Sequence, residues 1–312
     1  MIGVILAGGY GKRLKPITDE IPKTLVNIKD NYTIMDRQIF DFKNMGIKEI
    51  YVLSGYLGHK IEERYGESDG EVNFHYFRED KPLGTLFSIR NLLDHRSDED
   101  IILRNGDTVT DLNMERFMEF ASSSRYGMTM FVTRMKSPFG IVETFGDEVI
   151  SFKEKPYLDY YINAGFYFIK KSVFRYFFED YFDKDVETTA FPRLVRDKEV
   201  GVYREDTMWM GIDSEKDLEM VREEYLNRTD TPCGYVKNLY KSGKNSIIEY
   251  FVKSGKTQKI SAGKNSVARV LRGNGIMASG TGSKYKENQI IPLTEDAEFR
   301  AFENTIIDVT NA

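Results

Sequence analysis

Leu6-Ala7-Gly8-Gly9-Tyr10-Gly11-Lys12-Arg13-Leu14 follows directly on a short apolar run at 3–6, and the junction between the two decides the fold. A buried strand ending in a glycine-rich, basic turn is how an open α/β sheet presents a ligand crevice beyond its strands. Glycines let the backbone approach a polyphosphate, exposed N–H groups hydrogen-bond its oxygens, and Lys12 and Arg13 add charge-assisted contacts. The spacing is neither G-x-G-x-x-G nor G-x-x-x-x-G-K-[ST]. Glycine spacing alone therefore leaves a phosphate cradle and a plain surface turn evenly matched.

Further apolar runs at 50–53, 101–103, 128–132 and 166–169 read as buried strands. Between them Met35, Ile39 and Phe42 share one helical face, as do Met114, Phe117, Met118 and Ala121, with Asn113 placed to cap the second helix. Strands alternating with helices predict βαβ units and a mainly parallel sheet. Ser214, followed three residues later by Asp217, starts another helix that turns Leu218, Val221 and Tyr225 inward. That helix is expected to close a first domain, 1–228. Thr231-Pro232-Cys233-Gly234 reads as a hinge. Beyond it, runs at 247–252, 267–271, 290–293 and 305–309 predict a small all-β domain, 235–312.

A chain of 312 residues with 41% hydrophobic content can fill one large core and one small one. Its formal charge of −5 excludes a protein built chiefly to grip nucleic acid, which needs a surplus of cations. Cys233 is the only cysteine, so no internal disulfide or thiolate cluster can form, and a free buried thiol is expected. The opening apolar stretch is far shorter than the ~20 residues a membrane span needs, and no basic leader precedes it. A soluble, cytoplasmic protein without membrane partners is expected. His59, His75 and His95 have no metal-ligand spacing and read as structural or solvent-facing.

The motifs, taken in order, resemble the sugar-phosphate nucleotidylyltransferase family. After LAGGYGKRLKPIT (6–18) come Pro22-Lys23-Thr24-Leu25, PLGT (82–85) and Asn105-Gly106-Asp107. Phe139-Gly140-Ile141-Val142-Glu143, Glu154-Lys155-Pro156, Asn163-Ala164-Gly165 and Trp209 shortly before Asp213 complete the series. The resemblance implies a Rossmann-like three-layer α/β domain and transfer of a nucleotidyl group from a nucleoside triphosphate to a sugar 1-phosphate, assisted by Mg²⁺. Arg13 would hold the leaving pyrophosphate and Lys23 the α-phosphate with its attacking partner. Leu6, Ala7, Gly8, Gly9, Gly11 and Lys12 would cradle the triphosphate, and Gly84 and Thr85 would lie against the base. Asp107, within the nucleotide site, and Asp213 would be the metal ligands, with Asp111 the alternative to Asp213. Gly140, Glu154, Lys155, Asn163 and Gly165 would bind the sugar phosphate.

Two departures limit that assignment. The commonest pattern W-x-D-I-G-T is here Trp209-Met210-Gly211-Ile212-Asp213-Ser214, with the acid two residues later, as in glucose-1-phosphate cytidylyltransferases. Gly84-Thr85-Leu86-Phe87-Ser88-Ile89 replaces the common G-T-A-x-A-L, so the base is left open. The C-terminal strand rhythm, including Arg269-Val270-Leu271-Arg272-Gly273-Asn274-Gly275, resembles a cupin barrel, one without histidine. Its expected role is to bury a sheet face or join copies of the chain, the alternative being ligand sensing. Two other functions stand beside the first: nucleotidylyl transfer to a phosphoalcohol such as phosphocholine or inositol phosphate, and a non-catalytic nucleotide-sugar sensor. Tyr157, Tyr160 and Tyr161 permit a quaternary-ammonium cage, but ordinary packing is the expectation. The retained Lys23 and Asp107 argue against a sensor.

Overall fold

The computed structural model describes residues 1–81, 83–243, 245–263, 265–278 and 282–311. Contacts divide the chain into two units, Met1–Asp217 and Leu218–Ala312. The first is built on β1 (Ile2–Ala7), β2 (Glu49–Ser54), β3 (Asn73–Arg78), β4 (Ile101–Asn105), β5 (Met128–Lys136), β6 (Tyr157–Ile169) and β7 (Val200–Arg204). They form one sheet in the order β7-β5-β6-β4-β1-β2-β3. The pairs β1/β2, β1/β4, β2/β3 and β5/β7 are parallel, while β6 runs against both its neighbours. The chain moves outward from β1 to β3 and then returns to β4 on the other side of β1. The order thus reverses at β1/β4, and the crevice beyond those carboxyl ends is the topological switch point.

The longer α-helices that accompany the strands are α1 (Ile34–Asn44), α2 (Gly58–Tyr65), α3 (Thr85–His95), α4 (Met114–Ser123) and α5 (Ala190–Arg196), and α6 (Glu215–Tyr225) follows with most of its length in the second unit. Alternation along β1 supplies both faces of the sheet. Ile2 and Val4 join a core with Leu86, Ile89 and Leu92 of α3, whereas Ile5 and Ala7 join Met35, Ile39 and Phe42 of α1 and Phe117 of α4. Three layers result. Asn113 caps α4 by accepting from the Arg116 N–H. At α6 the Ser214 N–H donates to Asp217 Oδ2 at 2.9 Å and the Asp217 N–H donates back to Ser214 Oγ at 3.3 Å, the reciprocal box the sequence predicts.

The second unit holds two antiparallel sheets, of six and four strands. The predicted runs lie in Asn245–Val252, Ser266–Arg272, Ile290–Leu293 and Thr305–Asn311 of the larger sheet. Val270, Leu293, Ile307 and Val309 from that sheet and Met277, Tyr285 and Phe299 from the smaller one share a single core. The Thr231–Gly234 stretch is no hinge between units. Thr231 pairs with Gly234 across a tight turn inside the second unit, because Pro232 presets a turn backbone and a Cβ on Gly234 would strike the Phe251 backbone. Cys233 is free and only half-buried. The three tyrosines also depart from expectation: Tyr157, Tyr160 and Tyr161 are 59%, 73% and 52% exposed rather than packed. They lie on the outer part of β6, which pairs with β5 alone there. Among the described residues, no helix is long and apolar enough to cross a membrane.

Candidate active site

The turn after β4 is welded to the end of β1. The Gly106 N–H donates to the Leu6 carbonyl at 2.9 Å, and a Cβ on Gly106 would collide with that carbonyl and lie 2.6 Å from Thr24 Cγ2. Only glycine fits. Gln38 of α1, buried, donates through Nε2 to the carbonyls of Asn105 (3.0 Å) and Thr108 (2.9 Å), spanning the same turn. Beneath it Arg104 donates to Asp41 at 3.0 Å, and Arg37 pairs with Asp41 and donates to the Thr110 carbonyl at 2.8 Å. Asp111 is buried within 3.5 Å of Arg37. It belongs to this support and not to the crevice.

A two-stranded ribbon, Thr108–Thr110 with Trp209–Gly211, carries the second carboxylate to the first. The Ile212 N–H donates to the Asp107 carbonyl at 2.9 Å, which leaves Asp213 next to Asp107. Lys23 Nζ then lies between them, donating to Asp107 Oδ2 at 2.7 Å and Asp213 Oδ1 at 2.8 Å. Arg13 reaches Asp213 Oδ1 at 2.9 Å. The Lys23 side chain is only 12% exposed, while both carboxylates remain open at 37% and 45%. Partial burial by itself would raise the pKa of Asp213. The Lys23 hydrogen bond and charge, with Arg13, outweigh it and hold the group below the ordinary carboxylate value.

Within the glycine-rich loop the glycines differ. Gly11 has φ +61°, and a Cβ there would lie 2.8 Å from Thr18 Cγ2, so the fold requires it. At Gly9 a Cβ would meet nothing within 4 Å, and at Gly8 only the backbone around Gly55 and Leu53, at ordinary contact. The loop borders a cleft of about 380 Å³ lined by Tyr10, Gly55, Tyr56, Leu57, His59, Arg78, Glu79 and Asp80. His75 instead bonds Glu49 and His95 the Asn91 carbonyl.

The Asn163-Ala164-Gly165 motif is a bulge in β6, where register against β5 shifts between Asn163 and Tyr167. Gly165 has φ +68°, and a Cβ there would lie 2.8 Å from Asn105 Cγ, so this motif abuts the Asn105-Gly106-Asp107 turn. Trp209 Nε1 donates to the Ala164 carbonyl at 2.8 Å, tying the bulge to the ribbon. Asn163 is engaged locally, accepting from the Gly165 N–H and donating to the Tyr167 hydroxyl. Glu154 and Lys155 pair at 3.6 Å on the exposed end of the hairpin Ile141–Phe145 and Glu148–Lys153. A Cβ on Gly140 would lie 3.1 Å from Glu154 Oε2. Of the PLGT motif, Pro82 lies outside the described residues. A Cβ on Gly84 (φ +92°) would collide with Lys184, and Thr85 Oγ1 accepts from the Val186 N–H at 2.9 Å. These two residues thus seat α3 against the Lys184 to Glu187 segment.

Gln38 and the Arg37–Asp41–Arg104 cluster carry no motif that points to this turn. Arg37, Gln38 and Asp41 read as ordinary polar positions of α1 and Arg104 as a cation inside β4, and no spacing marks a turn some seventy residues away as the partner of Gln38.

Residues 2–228 match the family model described as Nucleotidyl transferase. The chain is similar to a D-glycero-alpha-D-manno-heptose 1-phosphate guanylyltransferase of Aneurinibacillus thermoaerophilus, 31% identical over 177 residues that cover 56% of this chain and 76% of that protein. It is also similar to a mannose-1-phosphate guanyltransferase of Yarrowia lipolytica, 27% identical over 263 residues, 80% of this chain and 68% of that one. The solved structure of HddC from Yersinia pseudotuberculosis complexed with GMP-PN superposes with a TM-score of 0.55 at 24% identity, covering 72% of this chain and all of the other. That likeness speaks to the fold. A family model spanning the whole α/β unit, on a chain whose glycine-rich loop, lysine and paired carboxylates converge at the sheet's switch point, shows that the chain belongs to the nucleotidyl transferase family.

Proposed function

We propose that this sugar-1-phosphate nucleotidyltransferase uses GTP, and that its reaction centre is Lys23 with Asp107, Asp213 and Arg13. The observation that carries the proposal is Lys23 Nζ held at 2.7 and 2.8 Å between two carboxylates beyond β1 and β4. A phosphate oxygen of the sugar 1-phosphate attacks the α-phosphorus in line. The new P–O bond forms as the bond to the β-phosphate oxygen breaks, and that electron pair leaves with pyrophosphate. The obstacle is the meeting of two polyanions, so cations and positioning do the work. Backbone N–H groups of the loop from Leu6 to Gly11, with Lys12, hold the triphosphate, and the openness beside Gly9 leaves room for it. Arg13 takes the leaving pyrophosphate with its planar fork. Lys23 neutralises the α-phosphate and the incoming phosphate. Gly140, Glu154, Lys155, Asn163 and Gly165 receive the sugar phosphate.

Asp107 and Asp213 offer carboxylate oxygens converging on one point, the hard donor set Mg²⁺ takes together with substrate phosphates. Bound there, the ion would neutralise charge developing on the phosphates. Guanine is favoured over the other bases by the guanylyltransferase relatives and by the cleft beside Tyr10. Glu79 there is fixed by the Leu83 N–H and Ser88 hydroxyl, while Asp80 stays exposed. Carboxylates suit guanine, whose pairing edge presents adjacent N–H donors. The catalytic part is the α/β unit that ends at Asp217, and the β-rich unit from Leu218 serves to bury a sheet face or to join copies.

The test is pyrophosphate release with each common triphosphate against hexose, heptose and alcohol phosphates, with and without Mg²⁺. GTP with a hexose or heptose 1-phosphate and Mg²⁺ should turn over. Silence with every pair would sink the proposal, and turnover confined to alcohol phosphates would replace the sugar.

A further inference from the structure

The position of Lys23 has a consequence for how the metal arrives. The ammonium occupies the point on which Asp107 and Asp213 converge, within 2.7 and 2.8 Å of an oxygen of each, and Arg13 closes on Asp213 from outside. Two carboxylates, one ammonium and one guanidinium sum to zero charge. A divalent cation entering alone would expel Lys23 from its two acceptors, and the side chain, only 12% exposed, would be stranded without a partner. Uncompensated buried charge is strongly unfavourable. The cation would also find few ligands, since no group of three or more His, Cys, Asp or Glu side chains among the described residues could hold a metal. Mg²⁺ takes about six oxygens in octahedral array, several of them from water, and one or two carboxylates hold it firmly only together with substrate phosphates. A triphosphate removes both obstacles, because its oxygens add anionic ligands in place of water and give the displaced ammonium a new partner.

We propose that Lys23 is a built-in counter-ion that fills the metal position until nucleotide arrives, so that divalent cation and triphosphate bind as a coupled pair and the protein alone binds the cation weakly. This rests on the reading of Asp107 and Asp213 as metal ligands. The lysine keeps the two carboxylates from repelling the triphosphate on approach, then moves by one side-chain swing from carboxylate to phosphate. Coupling between two such ligands is reciprocal: nucleotide tightens the cation site by the same factor as the cation tightens the nucleotide site.

Mn²⁺ binding followed by electron paramagnetic resonance tests this on the intact chain. Wild-type protein should bind Mn²⁺ weakly without nucleotide, and Lys23→Met should bind it roughly tenfold or more tightly, the size of ordinary coupling between sites. Lys23→Met with Asp213→Asn should lose that gain. In wild-type protein carrying ¹⁵N-labelled lysine, the Lys23 ammonium resonance should stay in place with Mg²⁺ alone and move with Mg²⁺ and GTP together, a readout independent of how well the variant folds. Tight Mn²⁺ binding by the wild type alone, equal affinity in Lys23→Met, or a resonance displaced by Mg²⁺ alone would overturn the proposal. Failure of the metal reading itself is distinguished by pyrophosphate release from wild-type protein that is indifferent to any divalent cation.

Discussion

At the scale of single residues, the glycine-rich loop separates into positions the fold needs and positions it does not. Gly11 is fixed by a left-handed backbone and by Thr18, whereas a side chain on Gly9 would meet open space. Gly11→Ala should therefore destabilise the protein by about 1 kcal/mol or more. Gly9→Ala should stay within about 0.5 kcal/mol of wild type while raising the KM for the triphosphate several-fold, as thermal melts beside initial rates will show. Spacing alone could not make this distinction, because φ and the neighbours a Cβ would meet are tertiary facts. Asp213 gives a second test. Its pKa is depressed in the folded protein, so its ionised form contributes stability above the ordinary carboxylate range, and that contribution disappears as pH falls through the folded pKa. Urea midpoints of wild type and Asp213→Asn should differ near pH 7, begin to converge only as pH falls below about 4, the range of an ordinary carboxylate, and meet once pH has passed below the lowered folded value. A gap that persists at low pH would assign the stabilisation to shape and not charge.

Among the elements, strands and helices of the α/β unit were largely legible, because apolar runs and capping residues are local signals. Asn113 and the Ser214/Asp217 box cap the helices they were expected to cap. The convergence of motifs was not legible. Gly106 answers to the Leu6 carbonyl and Gly165 to the Asn105 side chain, and neither partner is near in sequence. Although Asp213 comes two residues later than the common pattern has its acid, pairing of Gly211 with Thr108 and the bond from Ile212 to Asp107 leave it beside Asp107. Gln38 is the element-scale device to test. Gln38→Leu removes both donors to the turn carbonyls and should cost about 1–3 kcal/mol of stability. It should also lower kcat and raise the Mg²⁺ concentration for half-maximal rate, because the Asp107 turn is loosened. Loss of stability with an unchanged Mg²⁺ dependence would make Gln38 a packing residue only.

For the whole molecule, α6 was expected to close the first unit, yet most of its length groups with the second. Arg228 gives a physical reason. It is fully buried, lies 4.4 and 4.0 Å from the ring centroids of Tyr225 and Tyr235, and pairs with Asp230 at 2.8 Å and Glu224 at 3.3 Å. The end of α6 is thereby clamped to the first hairpin of the β unit. Arg228→Met should destabilise the β unit by about 3–5 kcal/mol, since Asp230 is left buried without this partner. Arg228→Lys should not restore it, because an ammonium cannot stack as a guanidinium does. Calorimetry will report both. In the α/β unit, the proposed reaction requires Lys23, Asp107 and Asp213 to act as one site. Its most direct measurement is pyrophosphate release from GTP and a sugar 1-phosphate by wild type, Asp107→Ala and Asp213→Ala, with GTP binding measured in parallel. Divalent-dependent turnover should fall by about a hundredfold or more in each variant while the protein stays folded and still binds GTP. Turnover that survives either substitution undiminished, or that needs no divalent cation, would contradict the account.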